Sequence, residues 1–335
     1  MTDVFGTLGP SCRDEEILSE MFAEGMTGIR INLSHVMLTD CLEDIDKVKR
    51  AASANGIVPK ILIDMQGPEL RIGKLDAPII LSESDELILV SEGYSEQTDA
   101  KAVALDNRIL KVLEPGQEIL LDDGRIAATV TETGNESAKS RITRGGILSG
   151  RKSIAIVGRT VEMPALTDSD VQNIRLASKA GIYGVMQPFV RSADDLLEVR
   201  KMLDGSGGKD IKIYAKIENR SGVENLESFF DHADEIIIAR GDLGNAVPLW
   251  ELPGVQKDIA RRCRAANMPF MVVTQMLSSM EHSKVPTRAE VSDIYNAVLD
   301  GASSVMVTGE TAVGEYPADV IRYMRKTAEA AYNNR

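Results

Sequence analysis

Eight short apolar runs alternate with longer amphipathic runs along most of this chain, and this alternation constrains the fold more than any other feature. Short apolar runs separated by segments of helical period are typical of parallel strands joined by crossover helices. The predicted strands are Val4–Leu8, Gly28–Leu33, Lys60–Met65, Tyr183–Phe189, Ile211–Ile217, Glu235–Ala239, Phe270–Thr274 and Ser304–Thr308.

Amphipathic runs fall between most of these strands, and we interpret them as helices. Eight strands with intervening helices predict an α/β fold, a (β/α)8 TIM barrel, and a doubly wound sheet is the alternative. The predicted helices are Ser169–Ala180 (capped by Thr167-Asp168), Ala193–Leu203, Val223–His232, Gly254–Asn267, Ala289–Leu299 and Ala318–Tyr332.

The helical period disappears between residues 72 and 159, where short β-like pieces are separated by Pro-Gly, Asp-Gly and Gly-Gly turns. We therefore predict a catalytic TIM-barrel domain at 1–71 and 160–335, and an inserted β-barrel cap domain at 72–159. An insertion after a barrel strand lies at the face where barrel enzymes build their active sites. The β-like pieces are Glu86–Val90, Glu118–Leu121, Arg125–Thr131 and Ser140–Thr143.

The bulk composition argues against several classes of protein. A net charge of −13 argues against general nucleic-acid binding. Cys12, Cys41 and Cys263 are far apart, so neither a disulfide framework nor a zinc site is expected, and a reducing cytoplasm is the simplest setting. We expect neither a signal peptide nor a membrane span, because no apolar run has the required length and position.

Polar side chains stand at the predicted strand ends that meet at the mouth of a parallel barrel. Lys216 and Glu218 follow the fifth strand two residues apart, on the same side. This arrangement suits an anionic substrate bound with a metal, and a structural ion pair is the alternative. The other polar residues at strand ends or exits are Arg30, Asn32, Ser34, Asp64, Glu69, Arg71, Asp242, Thr274, Thr308 and Glu310.

Taken together, cations, oxygen ligands and hydroxyls of this kind suit a phosphorylated carboxylate bound to Mg²⁺. Structural alternatives stay open: Asp242 could end a turn, Arg240 could be a solvated neighbour, and Asn32 with Ser34 could satisfy backbone groups. No P-loop and no G-x-G-x-x-G after a strand is present, so a kinase of the P-loop or protein-kinase type is excluded.

Ordered motifs give the chain a family resemblance. Arg30-Ile-Asn-Leu-Ser-His35, Lys216-Ile-Glu-Asn219 and Ala239-Arg-Gly-Asp-Leu-Gly244 resemble motifs of the pyruvate kinase family, and the resemblance covers nearly the whole chain. Further matching blocks are Thr7–Ser11, Asp64–Arg71, Asp122–Gly124, Thr274–Leu277, Pro286–Asp293, Asn296–Gly301 and Gly309–Ala312.

The resemblance implies a metal-dependent phosphotransferase acting on phosphoenolpyruvate and ADP to give pyruvate and ATP, in glycolysis, as a homo-oligomer. Arg30 and Lys216 would bind the phosphoryl group, with Lys216 offsetting charge during transfer. Gly241, Asp242 and Thr274 would hold the substrate carboxylate, and the enolate would be protonated through water near Thr274 and Thr308.

The same resemblance implies the cofactors and the nucleotide site. Glu218 and Asp242 would hold Mg²⁺ or Mn²⁺, and Glu69 matches a position associated with K⁺ dependence. The residues implied for K⁺ are Asn32, Ser34, Asp64 and the Met65 carbonyl, and those implied for the nucleotide are Pro10, His35, Arg71 and Lys152.

Departures from the family pattern cluster on the nucleotide and phosphate side. Gln66 stands where the family has lysine, Pro188 where it usually has a serine that contacts phosphate, and Ala155 where it has asparagine. Val36-Met-Leu38 follows His35 in place of glycine and polar residues. The family's C-terminal domain is not matched, so effector control of that kind is not expected. A metal-dependent pyruvate or oxaloacetate lyase or decarboxylase, or a non-catalytic phosphoenolpyruvate-binding paralogue, is the alternative.

Overall fold

The computed structural model describes residues 1–34, 36–93, 101–122, 124–159, 161 and 163–334. The chain forms two compact units, which are described separately below. The barrel unit comprises Met1–Gly67, Ala165–Leu243 and Trp250–Arg335, and the cap unit comprises Pro68–Pro164 and Gly244–Leu249.

Eight parallel strands close into a barrel, which confirms the predicted TIM barrel and shows that the doubly wound alternative is wrong. Closure is direct, because the first strand pairs with the last from Asp3 opposite Ser304 to Phe5 opposite Met306. In chain order the barrel strands are Asp3–Thr7, Gly28–Asn32, Lys60–Asp64, Gly184–Gln187, Lys212–Ile217, Glu235–Ala239, Phe270–Val273 and Ser304–Met306.

The core cluster formed by the barrel strands contains Phe5 and Tyr214 among aliphatic and methionine side chains. Helices follow most strands, and Thr167 begins the helix after the insertion by accepting a hydrogen bond from the backbone of Asp170. The helices of this unit are Glu15–Ala23, Leu42–Ala54, Asp168–Ala180, Ala193–Gly205, Arg220–Glu224, Leu252–Ala265, Arg288–Leu299, Gly309–Ala312 and Pro317–Tyr332, with short 3-10 turns at Pro10–Cys12, Leu38–Cys41, Leu226–Phe229 and Ser278–Glu281. The helix Arg240–Ala246 begins in this unit, and its last three residues are grouped with the cap unit.

One predicted helix is wrong in its extent. In place of a single helix over Val223–His232, the chain forms a short α-helix at Arg220–Glu224 and a 3-10 turn at Leu226–Phe229. The Asn219 side chain caps the first segment by accepting from the Gly222 N–H, so the helix begins earlier than predicted. Asn225 then separates the two segments.

The cap unit has its own aliphatic core and is rich in β-structure, as predicted. Its strands form a two-stranded sheet and a six-stranded sheet, and the helix Asn107–Leu110 is a departure from an all-β insertion. Asp106 caps that helix by accepting from the Arg108 N–H. The cap strands are Ile79–Leu81, Glu86–Ser91, Ala102–Leu105, Glu118–Leu121, Ile126–Thr133, Ser137–Arg144, Gly146–Leu148 and Ile154–Ile156.

Among the helices that the structure describes, none combines the length and the apolar character needed to cross a membrane. The three cysteines are buried and unpaired.

A carboxyl group is enclosed at the amino-terminal end of the barrel, opposite the end where active sites form. Glu235 begins the sixth strand, and its Oε1 lies 2.8 Å from Ser303 Oγ and also contacts Ser304 Oγ. Ser303 Oγ lies 2.8 Å from the Phe270 carbonyl oxygen as well, yet a hydroxyl has one proton and cannot donate to both acceptors. A protonated Glu235 resolves this, because it donates to one serine while Ser303 donates to Phe270.

The electrostatics point the same way. Burial raises the pKa of Glu235 to about 7, and the charge of Asp3 adds to this, while the two serine hydroxyls and Lys60 oppose it. The folded state therefore holds a proton that an unfolded glutamate, with a pKa near 4.5, has already lost. The contribution of Glu235 to the free energy of unfolding is fully present below pH 4.5. It decreases as the pH rises from 4.5 to 7 and is constant above that.

We expect Glu235→Gln to remove this pH dependence, because glutamine mimics the protonated carboxyl group. The variant should unfold at about the same denaturant concentration as the parent at pH 4, and be more stable by about 3 kcal/mol at pH 8. Chemical denaturation at both pH values measures this. Glu198→Gln, on an exposed helix position, is the matched control and should not change the pH slope. Equal stability of parent and Glu235→Gln at pH 8 would contradict the prediction.

Candidate active site

Four charged side chains at the mouth of the barrel, Arg30, Asp64, Lys216 and Glu218, form a continuous and largely buried network of ion pairs. Arg30, from the second strand, donates to Asp64 Oδ2 through Nε at 2.8 Å and Nη2 at 2.7 Å. Lys216 Nζ lies 3.2 Å from both oxygens of Asp64 and 2.9 Å from Glu218 Oε1. Asp64 and Glu218 are each only 2% exposed. Lys216 therefore serves two carboxylates, which is more than the simple structural pair with Glu218 that the sequence left open.

The pKa values of the side chains in this network are shifted in different ways. Burial disfavours the charge of Asp64, but Lys216 and Arg30 outweigh it and hold the pKa of Asp64 below its usual value. Burial also disfavours the charged form of Lys216, yet Asp64 and Glu218 raise its pKa above the ordinary range. Lys216 is therefore a cation at every physiological pH, and Asp64 is its permanent counter-ion.

Of the two carboxylates in this group of four side chains, Glu218 is the one whose burial is not offset by neighbouring positive charge. Burial raises its pKa to about 8, Asp242 and Asp64 add to the rise, and Lys216 opposes it. Its Oε2 accepts from the Phe189 N–H at 2.7 Å, while Oε1 has no hydrogen bond in the described part of the chain apart from its ion contact with Lys216. A buried carboxylate of this kind is stabilised by an additional cation nearby.

Asp242 stands in the first turn of the helix Arg240–Ala246, close enough to Glu218 to influence its pKa. Across the described ranges, no group of three or more His, Cys, Asp and Glu side chains is gathered for a metal. Two carboxylates are nevertheless a usual protein contribution to a Mg²⁺ site, because the ion retains water and takes substrate oxygens. Glu218 and Asp242 fit a Mg²⁺ of that type.

The loop after the fourth strand is fixed to the exit of the fifth. Phe189, whose N–H binds Glu218, has a φ of 52°, which is uncommon for a non-glycine residue. Asn219 Nδ2 donates to the Val190 carbonyl at 3.3 Å. Next to this loop, a Cβ on Gly67 would lie 2.4 Å from Pro188 Cγ, so the proline ring packs directly against the Gly67 backbone. Pro188 is buried and offers no hydroxyl to a phosphate.

Thr274 is held in a strained conformation by Arg240. Thr274 and Gln275 have φ values of 77° and 55°, a region that β-branched residues rarely adopt. The Arg240 guanidinium donates to the Thr274 carbonyl through Nε at 3.2 Å and Nη2 at 2.7 Å, and its Nη1 binds Asp293 Oδ2 at 2.6 Å. A Cβ on Gly241 would meet Thr274 Cγ2 at 3.1 Å, so these two proposed substrate contacts are neighbours.

Thr308 is organised by the buried Glu310. The Glu310 carboxylate accepts from the Thr308 N–H at 2.7 Å and from the Leu277 N–H at 3.1 Å. Glu310 thereby joins the exits of the seventh and eighth strands, which carry Thr274 and Thr308.

Asn32 and Ser34 lie together on the turn after the second strand. Asn32 Oδ1 accepts from the Ser34 N–H at 3.2 Å and from Ser34 Oγ at 2.8 Å. Asp64, from the neighbouring strand, stands directly opposite Asn32 in the sheet register, and Met65 follows it. The residues proposed for K⁺ thus occupy two adjacent strand ends.

The residues proposed for the nucleotide are distributed over both units. Pro10 is exposed and begins a 3-10 turn in the barrel unit, and His35 lies outside the described residues. In the cap unit, Arg71 Nη2 lies 2.6 Å from Glu69 Oε2, and Lys152 Nζ lies 2.6 Å from Asp122 Oδ1. Each of these two cations therefore has a carboxylate partner within its own unit.

Sequence reasoning did not assign roles to several residues that shape the site. Arg240 had a solvated position as its alternative, yet its side chain is only 11% exposed and binds the Thr274 carbonyl. Asp293 and the Phe189 N–H are further examples. An arginine directly after an apolar strand was the available signal for Arg240. The backbone donor at Phe189 left no signal in the sequence.

Comparison with known proteins agrees with this geometry. The family model for the barrel domain of pyruvate kinase matches residues 1–321. Similar proteins include the pyruvate kinases of Schizosaccharomyces pombe (38% identical), Debaryomyces hansenii (36%) and Staphylococcus saprophyticus (34%), and each alignment covers 98% of this chain. The chain spans 66% of the length of the two yeast relatives and 57% of the staphylococcal one.

Proposed function

The chain belongs to the pyruvate kinase family, and from this we propose that it transfers the phosphoryl group between phosphoenolpyruvate and ADP to give pyruvate and ATP. The observation that supports the proposal most directly is the ion-pair network of Arg30, Asp64, Lys216 and Glu218. Two cations and an undercompensated carboxylate at a barrel mouth suit a phosphoryl group bound together with a divalent metal.

We assign the cations to the phosphoryl group. Asp64 orients both Arg30 and Lys216, so their positive charge is in place before the substrate binds. Charge developing on the transferred group would then be neutralised without reorganisation of the protein, which is the main source of rate acceleration in phosphoryl transfer. Lys216 cannot act as a proton donor at neutral pH, because its neighbours hold it in the charged form.

The carboxylate end of the substrate is assigned to Gly241, Asp242 and Thr274. Two observations support this grouping: Gly241 lies next to Thr274, and Arg240 donates a hydrogen bond to the Thr274 carbonyl. Thr274 and Thr308 belong to the strand exits that Glu310 joins, which supports a common role in protonating the enolate through water.

The implied ions are proposals of the same kind. Mg²⁺ or Mn²⁺ held by Glu218 and Asp242 would supply charge neutralisation between the substrate carboxylate and phosphate. K⁺ is assigned to Asn32, Ser34, Asp64 and the Met65 carbonyl. The nucleotide assignments of Pro10, His35, Arg71 and Lys152 rest on the family pattern alone, as does self-association. A cytoplasmic setting rests on the three separated cysteines.

The test is pyruvate formation from phosphoenolpyruvate, measured with and without ADP in the presence of Mg²⁺ and K⁺. We expect turnover that requires ADP and yields ATP in equal amount. Pyruvate release without nucleotide would instead support a lyase or decarboxylase of related substrates. Binding of phosphoenolpyruvate with Mg²⁺ but no turnover under either condition would support a non-catalytic role.

A further inference from the structure

The Gln66 side chain connects two turns at the mouth of the barrel. Its Nε2 donates to the Ser34 carbonyl oxygen at 3.0 Å, across from the third strand to the turn that follows the second. Its Oε1 lies 3.3 Å from Thr167 Oγ1, at the start of the helix Asp168–Ala180. Gln66 is half-buried and its amide is neutral, so its bond to the Ser34 carbonyl is an ordinary hydrogen bond. The single proton of the Thr167 hydroxyl is donated to Asp170 Oδ2 at 2.8 Å, so the 3.3 Å approach to Gln66 Oε1 is a polar contact only.

The backbone beneath Gln66 is fixed independently of its side chain. The N–H groups of Gln66 and Gly67 donate to the two oxygens of Asp170, at 2.8 and 2.9 Å. Asp170 is fully buried, and Thr167 also donates to it through its N–H at 2.9 Å and its hydroxyl at 2.8 Å. The turn after the third strand is therefore rigid, and the Gln66 amide ties the neighbouring turn to it.

The oxygens proposed for a monovalent cation stand on these two turns. Asn32 ends the second strand and Ser34 stands on the turn after it, while Asp64 ends the third strand and Met65 begins the turn after that one. The Ser34 hydroxyl donates its proton to Asn32 Oδ1, which leaves the lone pairs of Ser34 Oγ for a cation. The separation of the two turns decides whether oxygens from both can reach one ion at the same time.

We propose that Gln66 is a positioning residue for a monovalent cation of K⁺ type, which it serves by fixing the Ser34 turn relative to Met65. The inference rests on the proposed function, which supplies the four ligand assignments. Gln66 itself is not among the ligands; it acts through the Ser34 carbonyl.

The experiment compares the parent protein with Gln66→Met, which has an unbranched side chain of similar length that cannot donate a hydrogen bond to the Ser34 carbonyl. Thermal unfolding is followed at increasing KCl, with LiCl holding the ionic strength constant. We expect saturable stabilisation of the parent by K⁺. In Gln66→Met the half-saturating K⁺ concentration should rise by about fivefold or more, the order expected when one hydrogen bond that orders a binding site is lost.

Steady-state kinetics provide the second readout. The half-saturating K⁺ for pyruvate formation should rise by the same factor, while kcat at saturating K⁺ stays within about twofold of the parent. A residue that only stabilises the fold would lower the melting temperature equally at all K⁺ concentrations. Gln172→Met, at an exposed position of the helix Asp168–Ala180, is the matched control and should leave the K⁺ dependence unchanged.

The outcomes separate this inference from the proposed function. Equal half-saturation in parent and variant, or a parent without any K⁺-specific stabilisation, would overturn the role of Gln66. Specific stabilisation by K⁺, weakened in the variant, without pyruvate formation would sustain the cation site and reject the proposed reaction. Gln66→Ala serves as the second variant if Gln66→Met does not fold, and the same shift is expected for it.

Discussion

Replacing Lys216 by methionine is expected to lower the rate of phosphoryl transfer by about 10³-fold or more. Methionine preserves most of the side-chain length but removes the charge that stands between Asp64 and Glu218. Methionine cannot neutralise the transferred phosphoryl group, and a preorganised charge of this kind is worth about 3–4 kcal/mol or more of transition-state stabilisation. The measurement is kcat and KM for phosphoenolpyruvate at saturating ADP, Mg²⁺ and K⁺.

Loss of activity must be distinguished from loss of the fold. Asp64 keeps Arg30 as a partner in the variant, and Glu218, whose pKa is about 8 already, can take up a proton. We therefore expect the variant to fold, with a free energy of unfolding lowered by about 1–3 kcal/mol. Lys212→Met is the matched control, because Lys212 begins the same strand and forms an exposed ion pair with Asp234. It should retain full turnover.

A Lys216→Met variant that transfers phosphate at the parent rate would contradict the proposed mechanism. A variant that is inactive but binds phosphoenolpyruvate and Mg²⁺ normally would show that Lys216 acts in the transition state and contributes little to ground-state binding. A variant inactive because it is unfolded would be recognised from its denaturation curve, and Lys216→Arg would then be measured as the second substitution.

The sequence predicts the barrel well because its signal is local. Each strand is a short apolar run and each helix an amphipathic one, so the alternation is visible without knowledge of any long-range contact. The polar residues at the strand ends follow from the same pattern, since parallel strands point their carboxyl ends to one mouth. Lys216, Glu218 and Asp242 could therefore be placed at one mouth before the structure was known.

The parts that could not be predicted depend on contacts between distant segments. The hydrogen bond from the Phe189 N–H to Glu218 requires a positive φ at Phe189, which is not a glycine, and the residue type does not predict such a conformation. From the sequence, Gln66 is the loss of a cation, whereas in the structure its amide donates to the Ser34 carbonyl. In both cases the chemistry depends on backbone atoms, whose positions a sequence pattern does not specify.

Arg240→Met is expected to have the second largest effect, a fall in kcat of about 10²-fold. The strained backbone at Thr274 and Gln275 costs about 1–3 kcal/mol per residue, and two charge-assisted bonds from the guanidinium to the Thr274 carbonyl oppose its relaxation. Without them we expect Thr274 to turn away from Gly241. The substrate carboxylate and the proton relay assigned to Thr274 would then be displaced together.

Three variants test this argument through their order of activity. Arg240→Lys should be intermediate, because a single ammonium cannot bridge Asp293 and the Thr274 carbonyl as a planar guanidinium does. Arg261→Met, at a largely exposed arginine on the helix Leu252–Ala265, should behave as the parent. Kinetics with phosphoenolpyruvate, together with denaturation of each variant, measure the order. If Arg240→Met kept its kcat while losing stability, the strain at Thr274 would be a feature of the fold alone, and Thr274 would have to act without support from Arg240.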